Sequence, residues 1–348
     1  MAKAGARQLI LVVGVGRSGT SLLAGMLGQM GFHIPQPEVR ADDTNPRGFG
    51  EPRWVVDFHH RLMRENRVTV NDSRPAAWER TYASGRRPAV QSELRAWLGG
   101  EVQRTDSVVV KDPRTAWFLP LWTRCAEELG VAPACVTMLR HPAEIIASAK
   151  QSYGDWQSDA SRASAWLNVI LETEHATRDG DRAFVRYEDL LVDWEREIRR
   201  IGRLIDSPVL SGAARERLPE VDRFVDPTLH RNRVRWDALD VPPRVRDLVE
   251  DVWRRLQPLA GDDGDAPATR ASLNEARTAY AAFYAEAETI AQSSITAAQR
   301  RGPQRAKRPG PPPPLRVRLA RRLPVRYRRR LRGAVRSLRA ATGPRRGR

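Results

Sequence analysis

The sequence predicts an α/β fold: a parallel β-sheet flanked by helices, with a C-terminal helical extension and a disordered basic tail. Three observations lead there. Short apolar runs rich in branched residues recur in the N-terminal half, each passes through a polar loop into a helical pattern, and charge is divided unevenly along the chain. The runs at 9–13 (LILVV), 108–110 (VVV) and 135–139 (CVTML) are continuous rather than alternating, as strands buried on both faces are. Strand and helix in alternation imply right-handed crossovers and a sheet covered on both sides.

In chain order, the strand at 9–13 opens into a glycine-rich loop at 14–20 and a helix at 21–30, stopped by Gly31. The strand at 108–110 leads to Lys111-Asp-Pro-Arg114 and a helix over 116–129. The strand at 135–139 leads to Arg140-His-Pro142 and a helix over 143–151. A helix at 161–178, a short strand at 184–186 and a helix at 188–205 follow. Helical patterns then cover 244–256 and 271–300. The second carries Leu273, Tyr280, Phe283, Ala287 and Ile290 at near-helical spacing, suited to packing on the body. Residues 309–314 (PGPPPP) form an extended spacer. The expected organisation is one domain over 8–260, a helical extension over 270–300 and a Pro/Arg-rich tail over 301–348.

Of 348 residues, 59 are Lys or Arg and 42 are Asp or Glu, a formal charge of +17. Residues 300–348 hold 19 of the basic groups and no acid, so residues 1–299 carry 40 basic and 42 acidic groups, a net −2. The excess belongs to the tail and does not mark the body as a nucleic-acid binder. Cys125 and Cys135 make neither a disulfide framework nor a zinc spacing, and read as buried small hydrophobes of a reducing compartment. No apolar run approaches the ~18 residues of a membrane-spanning helix. The run at 9–13 behind Lys3 and Arg7 is short for a secretion signal, so a cytoplasmic location is expected.

Gly14-Val-Gly-Arg-Ser-Gly-Thr-Ser21 places a glycine-rich turn between a strand and a helix. Such a turn lets successive N–H groups point inward beside the positive end of the helix dipole, which holds a phosphate. The sheet is therefore expected to be three-layered and P-loop NTPase-like. The spacing from Gly14 to Gly19 fits GxxxxGK[ST], but Thr20 stands where the lysine belongs and the cation comes earlier, at Arg17.

GVGRSGTSLL resembles the 5′-phosphosulfate loop of sulfotransferases that use 3′-phosphoadenosine 5′-phosphosulfate (PAPS), and the bacterial branch in particular. Arg140 to Ser148 matches the family's 3′-phosphate motif, and Val185-Arg-Tyr-Glu-Asp-Leu190 its YEDL segment, where the resemblance places Tyr187 near the adenine. Asn45-Pro-Arg-Gly-Phe-Gly-Glu51 and Lys111-Asp-Pro-Arg114 look like two further segments of that branch. Asp226-Pro-Thr-Leu-His-Arg231 is a weaker echo. The resemblance implies PAPS as co-substrate, held by Gly16, Arg17, Ser18, Gly19, Thr20, Ser21, Arg140, Ser148 and Tyr187, with no metal required.

Sulfuryl transfer resembles phosphoryl transfer: positioning and charge stabilisation dominate. Arg17 and the loop amides are expected to hold charge on the leaving phosphate, with Lys111 assisting. Glu51 is the first candidate for general base, from its place in the matching segment. Asp112 is the second, because Pro113 stands where many cytosolic relatives carry a histidine base. His59 and His60 are further candidates that read as surface or packing residues.

The acceptor is expected to be a carbohydrate, lipid or small molecule. Ten tryptophans, among them Trp54, Trp78, Trp117, Trp122 and Trp156, are available to stack on it, although tryptophan is more often core. Two other readings compete. One is a P-loop kinase or NTPase with Asp112 on magnesium. The other is an adaptor whose tail binds nucleic acid or membrane. Leu323, Tyr327, Leu331, Val335 and Leu338 would give residues 315–340 a basic amphipathic helix suited to an anionic inner-membrane surface, against a plainly solvated tail. Oligomeric state stays open.

Overall fold

A computed structural model describes residues 7–42, 45, 48–212, 218–225, 234–262 and 264–300. The tail at 301–348, with the membrane-binding segment expected at 315–340, lies outside them, as do Pro46, Arg47 and residues 226–231. The chain divides into two compact units, Met1–Glu286 and Ala287–Arg348.

In the first unit, strand β1 (Gln8–Val13) leads through the glycine loop into α1 (Thr20–Gln29). Helices α2 (Arg53–Asn66), α3 (Ala77–Gly85) and α4 (Pro88–Val102) precede β2 (Ser107–Lys111). A 3₁₀ turn over Pro113–Phe118 and α5 (Leu119–Glu128) lead to β3 (Ala132–Leu139). Then come α6 (Pro142–Tyr153), α7 (Asp159–Ala176) and β4 (Asp181–Arg186). Helices α8 (Tyr187–Val192), α9 (Trp194–Leu204), α10 (Pro208–Gly212), α11 (Leu218–Phe224) and α12 (Pro243–Leu256) follow. The last helix, α13 (Pro267–Arg300), begins in the first unit, where Leu273, Ala276 and Tyr280 are buried. Its end lies in the second, with Ile290 84% exposed.

The strands form one parallel sheet in the order β2-β1-β3-β4. Why the runs are continuously apolar is visible in β1. Leu9, Leu11 and Val13 enter a core built largely by α2 to α5, α7 and α12, while Ile10 and Val12 enter a second core with α1 and α9. A strand between two cores has no face left for polar residues. The tryptophans divide accordingly. Trp78 stacks on Trp117 at 3.7 Å in the first core, Trp122 is fully buried, and Trp156 is exposed.

Each sheet edge is met at one place. His33 pairs with β2 through a single parallel bridge, its N–H donating to Ser107 O and its carbonyl accepting from Val109 N. At the other edge, Arg200 of α9 donates from Nη2 to Phe184 O of β4 at 2.6 Å.

Two helix boundaries differ from expectation. The helix expected over 116–129 starts at Leu119, because Asp112 caps a 3₁₀ turn through Arg114 N and Pro120 sits in the first turn of α5. The helix expected over 188–205 is two, because Asp193 leaves helical backbone and its side chain caps α9 at Arg196 N. Residues 53–102, unassigned from sequence, supply α2 to α4.

Leu11 is 1% exposed at the centre of the sheet. Leu11→Ala is expected to cost about 2–5 kcal/mol, read as a lower urea midpoint with an unchanged slope.

Candidate active site

Parallel strands end on one edge, and each end leads into a candidate residue. The glycine loop follows β1, Lys111 closes β2, Arg140 follows β3 and Tyr187 follows β4. The chain leaves central β1 for β2 on one side and returns to β3 on the other, the switch at which α/β sheets open a crevice.

The loop is shaped to receive an anion. Arg17 adopts φ 77°, a left-handed conformation that costs a non-glycine residue about 1–3 kcal/mol. Gly19 has φ 100°, and a Cβ there would meet Tyr187 Cδ2 at 2.4 Å, so only glycine fits. Ser18 N bonds Val15 O, but among the described residues no backbone acceptor meets the Gly16, Arg17 or Gly19 amides. Thr20 and Ser21 begin α1, where amides lack intrahelical partners. Space above Gly16 is open, and among the described residues the buried Ser18 hydroxyl has no partner. These donors fit a phosphate.

The second group lies against the loop. Arg17 Nε donates to Ser148 Oγ at 3.0 Å, and Arg140 Nη1 donates to Arg17 O at 3.2 Å. The Arg140 guanidinium sits 4.7 Å from the centroid of the Tyr187 ring, a cation–π contact, and its Nε donates to Glu144 at 2.9 Å. Residues 17, 19, 140, 148 and 187 are thus one connected cluster. Beside it opens a cavity of about 1260 Å³ whose walls include Arg140, Tyr187, His141, Trp236 and Trp253.

The third group is charged and largely buried. Lys111 Nζ donates to Glu51 Oε1 at 2.7 Å and to Ser21 Oγ at 3.2 Å, tying Glu51 to the phosphate loop. Arg114 Nη1 lies 4.0 Å from Glu51 Oε2 and 2.6 Å from Asp112 Oδ1. Asp112 Oδ2 accepts from His59 Nδ1 at 2.8 Å, and Trp122 Nε1 donates to His59 Nε2 at 2.9 Å. An indole N–H only donates, so the network assigns the His59 ring proton to Nδ1, facing Asp112. Burial alone would raise the Asp112 carboxyl. The His59 hydrogen bond and the charge and hydrogen bond of Arg114 outweigh it and hold the carboxyl well below the usual carboxylate range.

The structure therefore brings Glu51, Lys111 and Ser21 together in one group, and Arg17, Arg140, Ser148 and Tyr187 in another. It turns Asp112 inward, with no exposed surface. His59 is fully buried, packed against Phe118 and Trp122 and bonded to Asp112, while His60 is exposed, so the two lie on different faces of α2. A signal for His59 was present: Val55, Phe58, His59, Leu62 and Met63 make one helical stripe, which puts the histidine on the core face. Arg114 stood in a matched segment and Trp122 among the aromatic candidates, but nothing in the local pattern marked their bonds to Asp112 and His59, or the cavity walls at Trp236 and Trp253. Among the described residues no group of three His, Cys, Asp or Glu gathers as for a metal, and no helix is long and apolar enough to cross a membrane.

Comparison with known proteins gives one family, described as the Sulfotransferase family, which matches residues 9–210. Among solved structures, the sulfotransferase domain from the Synechococcus PCC 7002 olefin synthase is similar at 18% identity and a TM-score of 0.38, over 78% of this chain and 94% of that chain. No curated protein matches.

A depressed carboxyl stabilises the fold fully above its unfolded pKa of about 3.9, and that contribution is lost as pH falls toward the folded value. Asp112→Asn is expected to cost about 1–3 kcal/mol near neutral pH. In urea unfolding the gap from the unaltered chain should narrow below about pH 4; a constant gap rules out the buried charge as its source.

Proposed function

The chain belongs to the sulfotransferase family, and on that premise we propose that it transfers the sulfuryl group of PAPS to a hydroxyl, or an amine, of an acceptor. One observation carries the reading. Five residues matched to the nucleotide motifs, drawn from four separate strand ends and helices, meet in the cluster of Arg17, Gly19, Arg140, Ser148 and Tyr187.

Each group then has a role that its surroundings support. The amides of Gly16 to Ser21 and the Arg17 guanidinium hold the 5′-phosphate and take up the charge that grows on it as the S–O bond breaks. Arg140 and Ser148 hold the 3′-phosphate, and the cavity beside Tyr187 takes the adenosine. Lys111, 3.2 Å from Ser21 and 2.7 Å from Glu51, stands between the donor loop and the base. Glu51 receives the acceptor proton. Asp112 is less suited to that work, because both its oxygens are bonded and it is fully buried. Thr20 in place of the P-loop lysine and the Arg140–Ser148 pair favour this over a kinase or NTPase. The acceptor is proposed to be a carbohydrate, lipid or small molecule.

Glu51→Gln is expected to slow sulfuryl transfer by about a hundredfold or more while 3′,5′-adenosine bisphosphate still binds normally in calorimetry. Retained turnover removes Glu51 from the mechanism. Arg140→Ala is expected to weaken the bisphosphate by about tenfold or more, and unchanged affinity removes Arg140 from the 3′-phosphate site. Binding of ATP in preference to PAPS overturns the donor.

A further inference from the structure

We infer that Arg114 recognises the acceptor, and that the acceptor carries an anionic group, a carboxylate, sulfate or phosphate, beside the hydroxyl to be modified. The inference rests on the reading of Glu51 as the base. Glu51 has a cation at each oxygen. Lys111 holds Oε1 and reaches back to Ser21, so that side faces the phosphate loop. Arg114 stands at Oε2, the other oxygen. With a side chain 17% exposed against 3% for Lys111, Arg114 is the cation open to an incoming molecule.

Arg114 is also held in place by a buried chain of hydrogen bonds. Its Nη1 is bonded to Asp112, a carboxylate with no exposed surface. That carboxylate is held by a fully buried histidine, itself held by a fully buried tryptophan. Burying a carboxylate costs several kcal/mol unless its bonds are good. What this chain delivers outward is one guanidinium in a set plane. Among the described residues no acceptor meets its Nε or Nη2. A fixed arginine fork pairs with two oxygens of an oxyanion, which a flexible lysine does less well.

Charge balance points the same way. Lys111, Glu51, Arg114 and Asp112 sum to zero while both carboxylates are ionised. When Glu51 takes the hydroxyl proton, the quartet gains one positive charge in a partly buried site. An acceptor anion on Arg114 offsets that charge and holds its neighbouring hydroxyl against Glu51.

The test uses the full chain with sulfur-labelled PAPS and a cell extract first separated by anion exchange into neutral and acidic fractions. Label is expected in acidic compounds over neutral ones by about tenfold or more, the discrimination of one charged hydrogen-bonding group. Arg114→Gln should abolish that preference, and Arg114→Lys should keep part of it. Both variants should bind 3′,5′-adenosine bisphosphate as the unaltered chain does, which also reports that they fold. Label mainly in neutral compounds, label in neither fraction, or a preference untouched by Arg114→Gln overturns the inference. Failure of the unaltered chain to bind the bisphosphate overturns the donor reading instead.

Discussion

Four strands that run the same way finish on one edge, and the site is a consequence of that alignment. Parallel pairing sets Val12 beside Lys111 and Leu139 beside Arg186, so the residues that follow emerge side by side however far apart they lie in sequence. The same pairing stabilises the strained loop. Holding Arg17 left-handed costs about 1–3 kcal/mol, whereas each fully buried branched side chain contributes about 1.5–3 kcal/mol. β1 alone buries all six of its residues, so the strand holds the loop in shape and not the reverse.

Sequence legibility followed the physics of each element. Strands buried on both faces announce themselves as apolar runs, and the glycine loop announces itself because Gly19 has no substitute beside Tyr187. The convergence of Arg140, Ser148 and Arg17 was readable only through spacing matched to a family. Spacing alone does not say that a strand and a helix will meet. The region 53–102 was missed because amphipathic helices carry no chemistry-bearing motif, and with it went His59's place in the core. Arg114 was visible as a letter in a motif but not as the partner of a buried Asp112. Its neighbours Glu51, Asp112 and, behind them, His59 and Trp122 come from three separate stretches of chain.

Electrostatics shows the same division. A body of net −2 gives no hint of where its cations gather. Near the loop, cations are matched locally: Lys111 with Glu51, Arg114 with Asp112 and Arg140 with Glu144. An anion at the loop would then be attracted by oriented amides and by guanidinium edges left over after pairing, quantities that a charge count does not contain.

A four-stranded open sheet has two lateral rows of peptide groups able to recruit a strand from another molecule. In this one, His33 occupies Ser107 O and Val109 N along β2, and the Arg200 guanidinium occupies Phe184 O along β4. At those positions the sheet is closed to growth by β-augmentation. Any companion the chain takes on at those positions must be met by side chains rather than by backbone.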